Sequence, residues 1–312
     1  MNLSQIIRKA RFEVDAIRAS GTASALWSDE ECIDAANTAM DRAARLIRLA
    51  DSNILTKFIK STDSSLDFVS ETYAPSSLKM IDGTVDYTLP PDFVRVESIV
   101  PTESTFDGIR FFPASLTQKG WIDQSVLTAD DLSTIEGSEQ VFYYTIIGAR
   151  TLRIRPIVSQ DFAIELMYQY RPVRLQNYST GSITLALGST GLHGIGTSWL
   201  TSGVRDPAEL VTTSASLVSL STTYPRIASV TSDTEAVLSR TWPSQPLASA
   251  IYHISMIPRL PEEHHAWLAQ VTAAVMLRKV SPDLSKASLE DLDKQLDLEV
   301  KPEVTIRQVQ ES

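Results

Sequence analysis

Apolar residues recur at helical spacing through the first sixty residues of the chain. Residues 2–19 predict a short amphipathic helix. A longer helix is predicted from about residue 28 to residue 60. Its start is marked by Ser28 and Glu31, which have the spacing of a capping box, and by Trp27, which stands at the hydrophobic-staple position.

The second of these helices carries a stripe of small and branched apolar residues. Its members recur at alternating steps of three and four, the spacing that keeps one side of a helix against a partner. They are Ile33, Ala36, Met40, Ala43, Ile47, Ala50 and Ile54. Three of the seven are alanine, so another helix can approach closely. The stripe therefore predicts a packing seam, either within a helical bundle of the chain or between subunits.

Strand-like alternation and turn residues replace the helical pattern after residue 62. Pro90 and Pro91 interrupt any ladder of hydrogen bonds, so one strand is predicted to end before them and another to begin after them. Residues 114–124 predict a short helix. Further strands are predicted at 143–147, 151–154 and 163–170.

Composition changes again between residues 177 and 257, where Ser, Thr and Gly dominate and Lys is absent. This segment predicts an inserted all-β module, barrel- or sandwich-like, with short strands. The strand candidates are 183–187, 209–212, 224–230 and 235–238. Two more helices are predicted after the module, at about 262–279 and 285–298. Residues 299–312 are polar with isolated apolar residues and predict an extended tail that is ordered by a partner.

These patterns together predict an α+β fold. Its expected parts are a helical bundle formed by the N- and C-terminal segments, a central antiparallel β region and the inserted module. The predicted divisions are N-terminal helices at 1–62, the central β region at 63–176, the module at 177–257, C-terminal helices that complete the bundle at 258–298, and the tail at 299–312.

The composition narrows the classes of function. The chain has 312 residues, 43% apolar content and a net charge of −10, which are typical of a folded protein of two or three modules. The negative charge argues against general binding of duplex DNA. The single cysteine, Cys32, excludes an intramolecular disulfide and favours a buried thiol and a cytosolic origin. No signal peptide and no apolar run of roughly 18 residues is present, so a soluble protein with no membrane partner is expected.

No arrangement of residues predicts catalysis, a cofactor or a metal site. The glycine-rich segment 188–198 lacks the Gly-Lys-Ser/Thr ending of a phosphate loop and is interpreted as a β-turn loop. His264 and His265 follow two glutamates, but adjacent histidines on a helix point about 100° apart, so a solvated helix terminus is expected. No Gly-x-Ser-x-Gly nucleophile elbow occurs. The chain is therefore predicted not to be an enzyme.

The order of several short motifs resembles the head-to-tail connector (adaptor) proteins of tailed bacteriophages. The motifs are Trp27-Ser-Asp-Glu-Glu31, Tyr87-Thr-Leu-Pro-Pro-Asp-Phe93, Leu152-Arg-Ile-Arg-Pro156, Tyr168-Gln-Tyr-Arg-Pro172 and the helix start Leu260-Pro-Glu-Glu263. The segment 194–205 followed by 224–238 is similar to a small β module of phage tail and adaptor proteins. One departure is the turn Asp206-Pro207-Ala208, which stands where that module usually has glycine-aspartate.

The resemblance implies a structural protein of the virion neck, made in the cytoplasm of the host bacterium. Such connectors form a ring of twelve copies between the portal protein and the tail, collar or fibre proteins, and DNA passes through the ring during ejection without sequence-specific binding. The candidate portal-binding residues are Val300, Val304, Ile306 and Val309. The candidate acidic surface, facing the DNA channel or the portal, consists of Glu290, Asp291, Asp293 and Asp297. A plain solvated helix face explains these acidic residues equally well.

An alternative hypothesis is a tail-side protein that recognises host carbohydrate or attaches a fibre. Aromatic residues of the module, Trp199, Tyr224 and Trp242, would then stack on sugars. Trp199 lies within an apolar pattern, however, and this favours core packing over sugar stacking.

Overall fold

The computed structural model describes residues 1–18, 27–49, 53–62, 75–106, 108–114, 140–204, 208–212, 225–242 and 246–310. Over these residues the chain is a mixed α+β protein, which confirms the predicted class. It divides into two units. The first combines Met1–Ile54 with Pro172–Ser312, and the second is Leu55–Arg171.

The described helices longer than a single turn all belong to the first unit. They are α1 at Leu3–Arg18, α2 at Asp29–Leu49, α3 at His264–Leu277 and α4 at Pro282–Gln310. The predicted capping box forms at the start of α2. The backbone N–H of Ser28 donates to Glu31 Oε2 at 2.9 Å, and the backbone N–H of Glu31 donates to Ser28 Oγ at 3.2 Å. This reciprocal pair satisfies two of the donors that a helix start leaves free.

Helix α3 is apolar on nearly all sides and packs against the other three helices. A helix of this kind is stable only where it is buried around most of its circumference. Trp267 Nε1 donates to the backbone oxygen of Leu292 at 2.7 Å, and Ser285 Oγ donates to the backbone oxygen of Ala274 at 2.7 Å. The first bond joins the start of α3 to the middle of α4. The second joins the last part of α3 to the start of α4, so the two helices run antiparallel.

Helix α2 is shorter than the sequence pattern predicts. It ends at Leu49, and residues 56–60 form strand β1, which pairs antiparallel with strand β7 at Ile164–Tyr170. The segment contains Thr56, Phe58 and Ile59, residue types that suit a strand. Pairing with a strand far along the chain decides the conformation here, and helical spacing alone cannot anticipate it.

Helix α4 is longer than predicted, because it continues to Gln310 through most of the segment expected to be extended. Residues 299–310 contain no glycine and are rich in Glu, Gln, Lys and Arg, which favour helix. Pro302 removes one backbone donor without ending the helix. The backbone of 299–310 is thus helical where an extended tail was expected.

Strands β8 to β15 form two antiparallel sheets in the first unit. One has the order β12-β13-β10-β9-β14 and the other β11-β15-β8. A bridge between Glu209 and Arg226 joins them, and the backbone N–H of Leu210 donates to Pro225 O at 2.9 Å beside it. The strands are β8 Asn177–Tyr178, β9 Ser182–Leu185, β10 Gly191–Ile195, β11 Ala208–Thr212, β12 Ile227–Val230, β13 Glu235–Leu238, β14 Leu247–Ala250 and β15 Tyr252–Met256.

The second unit contains two further sheets, of order β1-β7-β3 and β2-β6-β5-β4. Their strands are β1 Thr56–Lys60, β2 Asp86–Thr88, β3 Phe93–Pro101, β4 Ile109–Pro113, β5 Gln140–Ile147, β6 Thr151–Arg155 and β7 Ile164–Tyr170. The strand break at Pro90 and Pro91 is confirmed, since β2 ends before this pair and β3 begins after it. The helix predicted at 114–124 falls almost wholly outside the described residues.

One strand pair departs from the predicted antiparallel arrangement, because β4 and β5 are parallel. Ile109 lies opposite Gln140 and Pro113 lies opposite Tyr144. Parallel neighbours cannot be joined by a hairpin and need a connection of about a dozen residues or more. The connection between these two strands, residues 114–139, is long enough for this. The expectation of a purely antiparallel region assumed that strands next to each other in sequence pair as hairpins.

A buried ionic cluster ties the strands of the β1-β7-β3 sheet together. Lys57 Nζ on β1 lies 2.6 Å from Asp92 Oδ2, just before β3, and Tyr168 on β7 donates from its hydroxyl to Asp92 Oδ1 at 2.9 Å. The Lys57 ammonium also lies 4.4 Å from the ring centroid of Tyr170. The Asp92 side chain is only 5% exposed. Its carboxylate therefore depends on these two donors in place of water.

The substitution Asp92→Asn is expected to lower the free energy of unfolding by about 3 kcal/mol, because it leaves the Lys57 ammonium without its anionic partner in a mostly buried position. The matched control is Asp161→Asn, which removes the partner of Lys79 from a pair whose side chains are 46% and 49% exposed. That change should cost less than about 1 kcal/mol. Urea denaturation of both variants measures the difference, and equal losses would contradict a structural role for Asp92.

Candidate assembly surfaces

The stripe predicted on the second helix is largely buried within the single chain. Ala36, Met40, Ala43 and Ile47 are buried, and Ile33 is half-buried. Ala50 lies outside the described residues, and Ile54 lies in a 3-10 turn beyond the end of α2. Helix α2 packs mainly on α3. The four buried residues are therefore part of the chain's own core and present almost no surface to a neighbouring subunit.

A bidentate ion pair joins the flank of this stripe to α4. Arg42 donates from Nε to Asp293 Oδ1 at 2.6 Å and from Nη2 to Asp293 Oδ2 at 2.5 Å. The side chains are 34% and 26% exposed. The hydrogen bond with Asp293 raises the pKa of Arg42. Asp293 thus holds α4 against α2. The acidic run in which it stands in the sequence does not indicate this structural role.

The four acidic residues proposed as one surface of α4 do not share one environment. Glu290 is exposed, and Asp291 is exposed with Oδ1 3.5 Å from Lys294 Nζ. Asp293 faces Arg42, and Asp297 is half-buried. The part of the predicted acidic surface that is open to a partner is therefore centred on Glu290 and Asp291.

The C-terminal ends of α2 and α4 lie at the same end of the helical group, near the start of α3. Lys279, just after α3, lies 2.7 Å from Glu31 at the start of α2, so α2 runs antiparallel to α3, as α4 does. Leu49 and Leu298 follow the Arg42–Asp293 pair along these two helices and are 73% and 70% exposed. At about 1.5 Å per residue, residues 299–310 carry α4 on by about 18 Å. This end combines two exposed leucines with a helix that continues past them.

The candidate portal-binding residues belong to this continuation of α4. Val300, Val304, Ile306 and Val309 lie at helical backbone positions, and their side chains fall outside the described part of the structure. Val300 and Val304 continue the spacing of Leu292 and Leu296 along the sequence. Leu296 is fully buried, so the apolar side of α4 begins inside the helical group.

The two histidines at the start of α3 are buried, so the expectation of a solvated helix terminus is wrong for them. His264 is 4% exposed and His265 is 1% exposed. His265 Nε2 lies 2.9 Å from the backbone oxygen of Leu260, and Nδ1 lies 2.7 Å from the nitrogen of Met1. Burial lowers the pKa of His265. The histidines are hidden because α1 packs along α3, a contact between opposite ends of the sequence.

The first turn of α1 contacts all three strands of the β11-β15-β8 sheet. Asn2 Nδ2 donates to Glu209 Oε2 on β11 at 2.7 Å. The backbone N–H of Ser4 donates to Ser255 Oγ on β15 at 2.9 Å, and Ser4 Oγ donates to Asn177 Oδ1 on β8 at 3.4 Å. We call this turn, residues 1–5, the N-terminal clasp. It connects α1 to the β11-β15-β8 sheet within the first unit.

The clasp contains a helix-start signal that is visible in the sequence but absent from the predicted sites. Asn2 N–H donates to Gln5 Oε1 at 2.9 Å, and Gln5 N–H donates to Asn2 Oδ1 at 2.9 Å. Asn-x-x-Gln has the spacing of a capping box with an asparagine cap. The pattern could have located the start of α1, whereas the bonds to strands more than 170 positions later depend on the fold.

Two tryptophans of the β8 to β15 region are buried. Trp199 and Trp242 are 1% and 2% exposed, and Trp199 Nε1 donates to the hydroxyl of Tyr252 at 2.8 Å. The third aromatic residue considered for sugar stacking, Tyr224, lies outside the described residues. The glycine-rich segment connects β9 to β10 and continues into β10. The two described tryptophans therefore stabilise the module and present no sugar-stacking platform.

The described residues hold no group of three histidine, cysteine or carboxylate side chains that could bind a metal ion. Cys32 is fully buried, and burial raises the pKa of its thiol. Among the helices in the described part of the chain, none is long and apolar enough to cross a membrane.

The family model of the SU10 adaptor protein matches residues 1–195. The chain belongs to this family of bacteriophage head-tail adaptors, which confirms the resemblance in the sequence motifs. The match covers α1, α2, the whole second unit and the β9-β10 hairpin. A search of curated proteins gave no match. The family is structural, so the chain is a phage virion component that interacts with other virion proteins.

Asp293→Asn is expected to lower the free energy of unfolding by about 1 kcal/mol, because it breaks a bidentate pair that solvent only partly screens. Asp291→Asn on the same helix is the control. The side chain of Asp291 is 76% exposed, and the change should cost less than about 0.5 kcal/mol. Urea denaturation would show the difference. If both variants lost equal stability, the Arg42–Asp293 pair would not be what holds α4 to α2.

Proposed function

We propose that this protein is a neck component that joins the portal to the tail as a ring of identical subunits and forms part of the DNA channel. The observation that carries this proposal is membership in a head-tail adaptor family over residues 1–195. Its action would depend on complementary shapes and interfaces, and catalysis has no part in it. The proposed ring has twelve copies, as the sequence resemblance implies.

Within each subunit we propose that both ends of the chain build one helical bundle. The central position of α3, in contact with α1, α2 and α4, supports this arrangement. Residues 177–257 would be an insert with a barrel-like form. Three features support this: β8 leads into β9, β14 leads into β15, and the Glu209–Arg226 bridge links the two sheets. Tail, collar or fibre proteins are the proposed partners of the module.

The proposed contact with the portal is the C-terminal part of α4. Residues 299–310 continue as a helix past Leu49 and Leu298, two exposed leucines at the same end of the helical group. An amphipathic helix binds by placing its apolar side in a groove of its partner. Val300 and Val304, four positions apart, supply part of such a side, and Ile306 and Val309 supply more. The helical backbone of residues 299–310 favours docking of a helix over addition of a strand to a sheet of the portal.

The channel role is supported by charge. A net charge of −10 on each subunit repels the phosphate backbone, so DNA would pass without being held. Glu290 and Asp291 are the exposed members of the acidic set on α4 and are the proposed lumen- or portal-facing residues.

Purified protein mixed with its portal protein is expected to form a ring-shaped complex. Native mass spectrometry would give the number of copies, and electron microscopy would show the ring and the side that contacts the portal. A monomer that stays monomeric in the presence of the portal would contradict the proposed assembly. Binding to a glycan array in the absence of portal binding would favour the carbohydrate-recognition alternative.

A chain truncated after Leu298 is expected to lose portal binding while keeping the fold, because the ion pairs and hydrogen bonds described for α4 all lie before that residue. Circular dichroism and urea denaturation check the fold, and co-sedimentation with the portal measures binding. The double variant Glu290→Gln with Asp291→Asn tests the exposed acidic residues of α4 separately, and Asp161→Asn, a half-exposed residue outside the proposed contact, is the control. Unchanged binding of the truncated chain would refute the proposed contact. Loss of binding in the double variant alone would move the contact to the acidic surface.

A further inference from the structure

We propose that the N-terminal clasp, residues 1–5, is controlled by protonation: neutral His265 keeps it closed on the β11-β15-β8 sheet, and protonated His265 opens it. The hydrogen bonds around His265 determine the proton positions. A carbonyl oxygen can only accept, so the contact with Leu260 O at 2.9 Å requires a proton on Nε2. In a neutral ring Nδ1 then carries no proton and accepts from the Met1 nitrogen at 2.7 Å.

Protonation of His265 would put a second donor where an acceptor is needed. Nδ1–H would face the Met1 nitrogen, which is itself a donor, and the hydrogen bond would be lost. The ring is 1% exposed, so water cannot replace the lost acceptor while the clasp is closed. An added positive charge beside the Met1 amino group would also be repelled. Opening of the clasp relieves both effects by letting water reach the ring.

The charged groups around the ring act in opposite directions, and the net effect favours the neutral form. Burial lowers the pKa of His265 and the Met1 amino group lowers it further, whereas hydrogen bonds with the backbone of Leu260 and Pro258 and the charge of Glu262 raise it. Glu209 is a further charged group near the clasp, and its carboxylate accepts a hydrogen bond from Asn2.

The direction of the pH effect follows from this shift. The closed clasp binds a proton more weakly than the open clasp, whose histidine has a pKa of about 6.5. The closed form is therefore fully stabilised above about pH 6.5. Below that value the equilibrium constant for opening of the clasp increases by about tenfold for each unit by which the pH falls, until the pH reaches the lower pKa of the closed form.

Opening of the clasp would release the contacts that tie the module to α1. The bonds of Asn2 to Glu209 and of Ser4 to Ser255 both originate in the same turn as the Met1 nitrogen. They depend on that turn being docked. The proposed consequence is a module that is held to α1 at neutral pH and loses these bonds in mild acid. This inference does not depend on the ring or portal assignments.

Hydrogen exchange of the full chain between about pH 8 and pH 5.5, corrected for the intrinsic pH dependence of exchange, tests the proposal. Amides of the clasp and first turn of α1, such as Gln5 and Ile6, should open about tenfold more often per pH unit below about pH 6.5. Amides in the middle of α2 should keep their protection. Clasp amides whose opening does not change with pH would overturn the proposal.

His265→Gln removes the titrating ring, and the opening of the clasp should then lose its pH dependence. The matched control is His253→Gln on β15. Burial also lowers the pKa of His253, yet no hydrogen bond joins it to the described clasp residues, so this variant should behave as the unaltered chain does. Equal pH dependence in His265→Gln and the unaltered chain would overturn the proposal.

Nitrogen NMR of the histidine rings in the unaltered chain provides a test that needs no variant. A neutral His265 ring protonated at Nε2 is expected near neutral pH, with protonation and clasp opening in the same pH range. A ring protonated on both nitrogens in the closed clasp would overturn the proposal.

Discussion

The burial of α3 is the constraint on which the first unit depends. Its sequence is apolar on nearly every side, so no single neighbour can cover it. Helices α1 and α2 come from the beginning of the chain and α4 from its end, and all three pack on α3. The two ends of the chain must therefore meet before the core exists. The β11-β15-β8 sheet, which lies between them in the sequence, is held to α1 by the clasp.

The same constraint decides which surfaces remain for other virion proteins. Alanines at 36 and 43 of α2 and at 269 and 273 of α3 are buried, and small side chains at a helix contact let the two axes come close. The apolar stripe of α2 is thus buried inside the subunit. Among the described helices, the exposed helix ends and the outer face of α4 remain accessible to partners.

Local signals in the sequence predicted local structure well. The capping box at Ser28, the strand break at Pro90 and Pro91 and the short strand at 235–238 each depend on residues that are neighbours in the chain. The features that differ from the predictions depend on residues that are distant in the sequence. Strand β1 exists because β7 pairs with it, and β5 lies parallel to β4, an arrangement that the long connection between them permits. His265 is hidden by a helix from the opposite end of the chain.

Polar residues inside the core show how an apolar pattern becomes one specific arrangement. Apolar burial has little direction, whereas a buried polar group must find a partner at a fixed distance and angle. Asn37 lies among the buried residues of α2 and makes two bonds to one residue, donating to Leu175 O at 3.0 Å and accepting from Leu175 N–H at 2.7 Å. It thereby fixes the chain against α2 just after the second unit ends at Arg171. In the sequence Asn37 only interrupts an apolar run, although in the structure it determines where the returning chain docks.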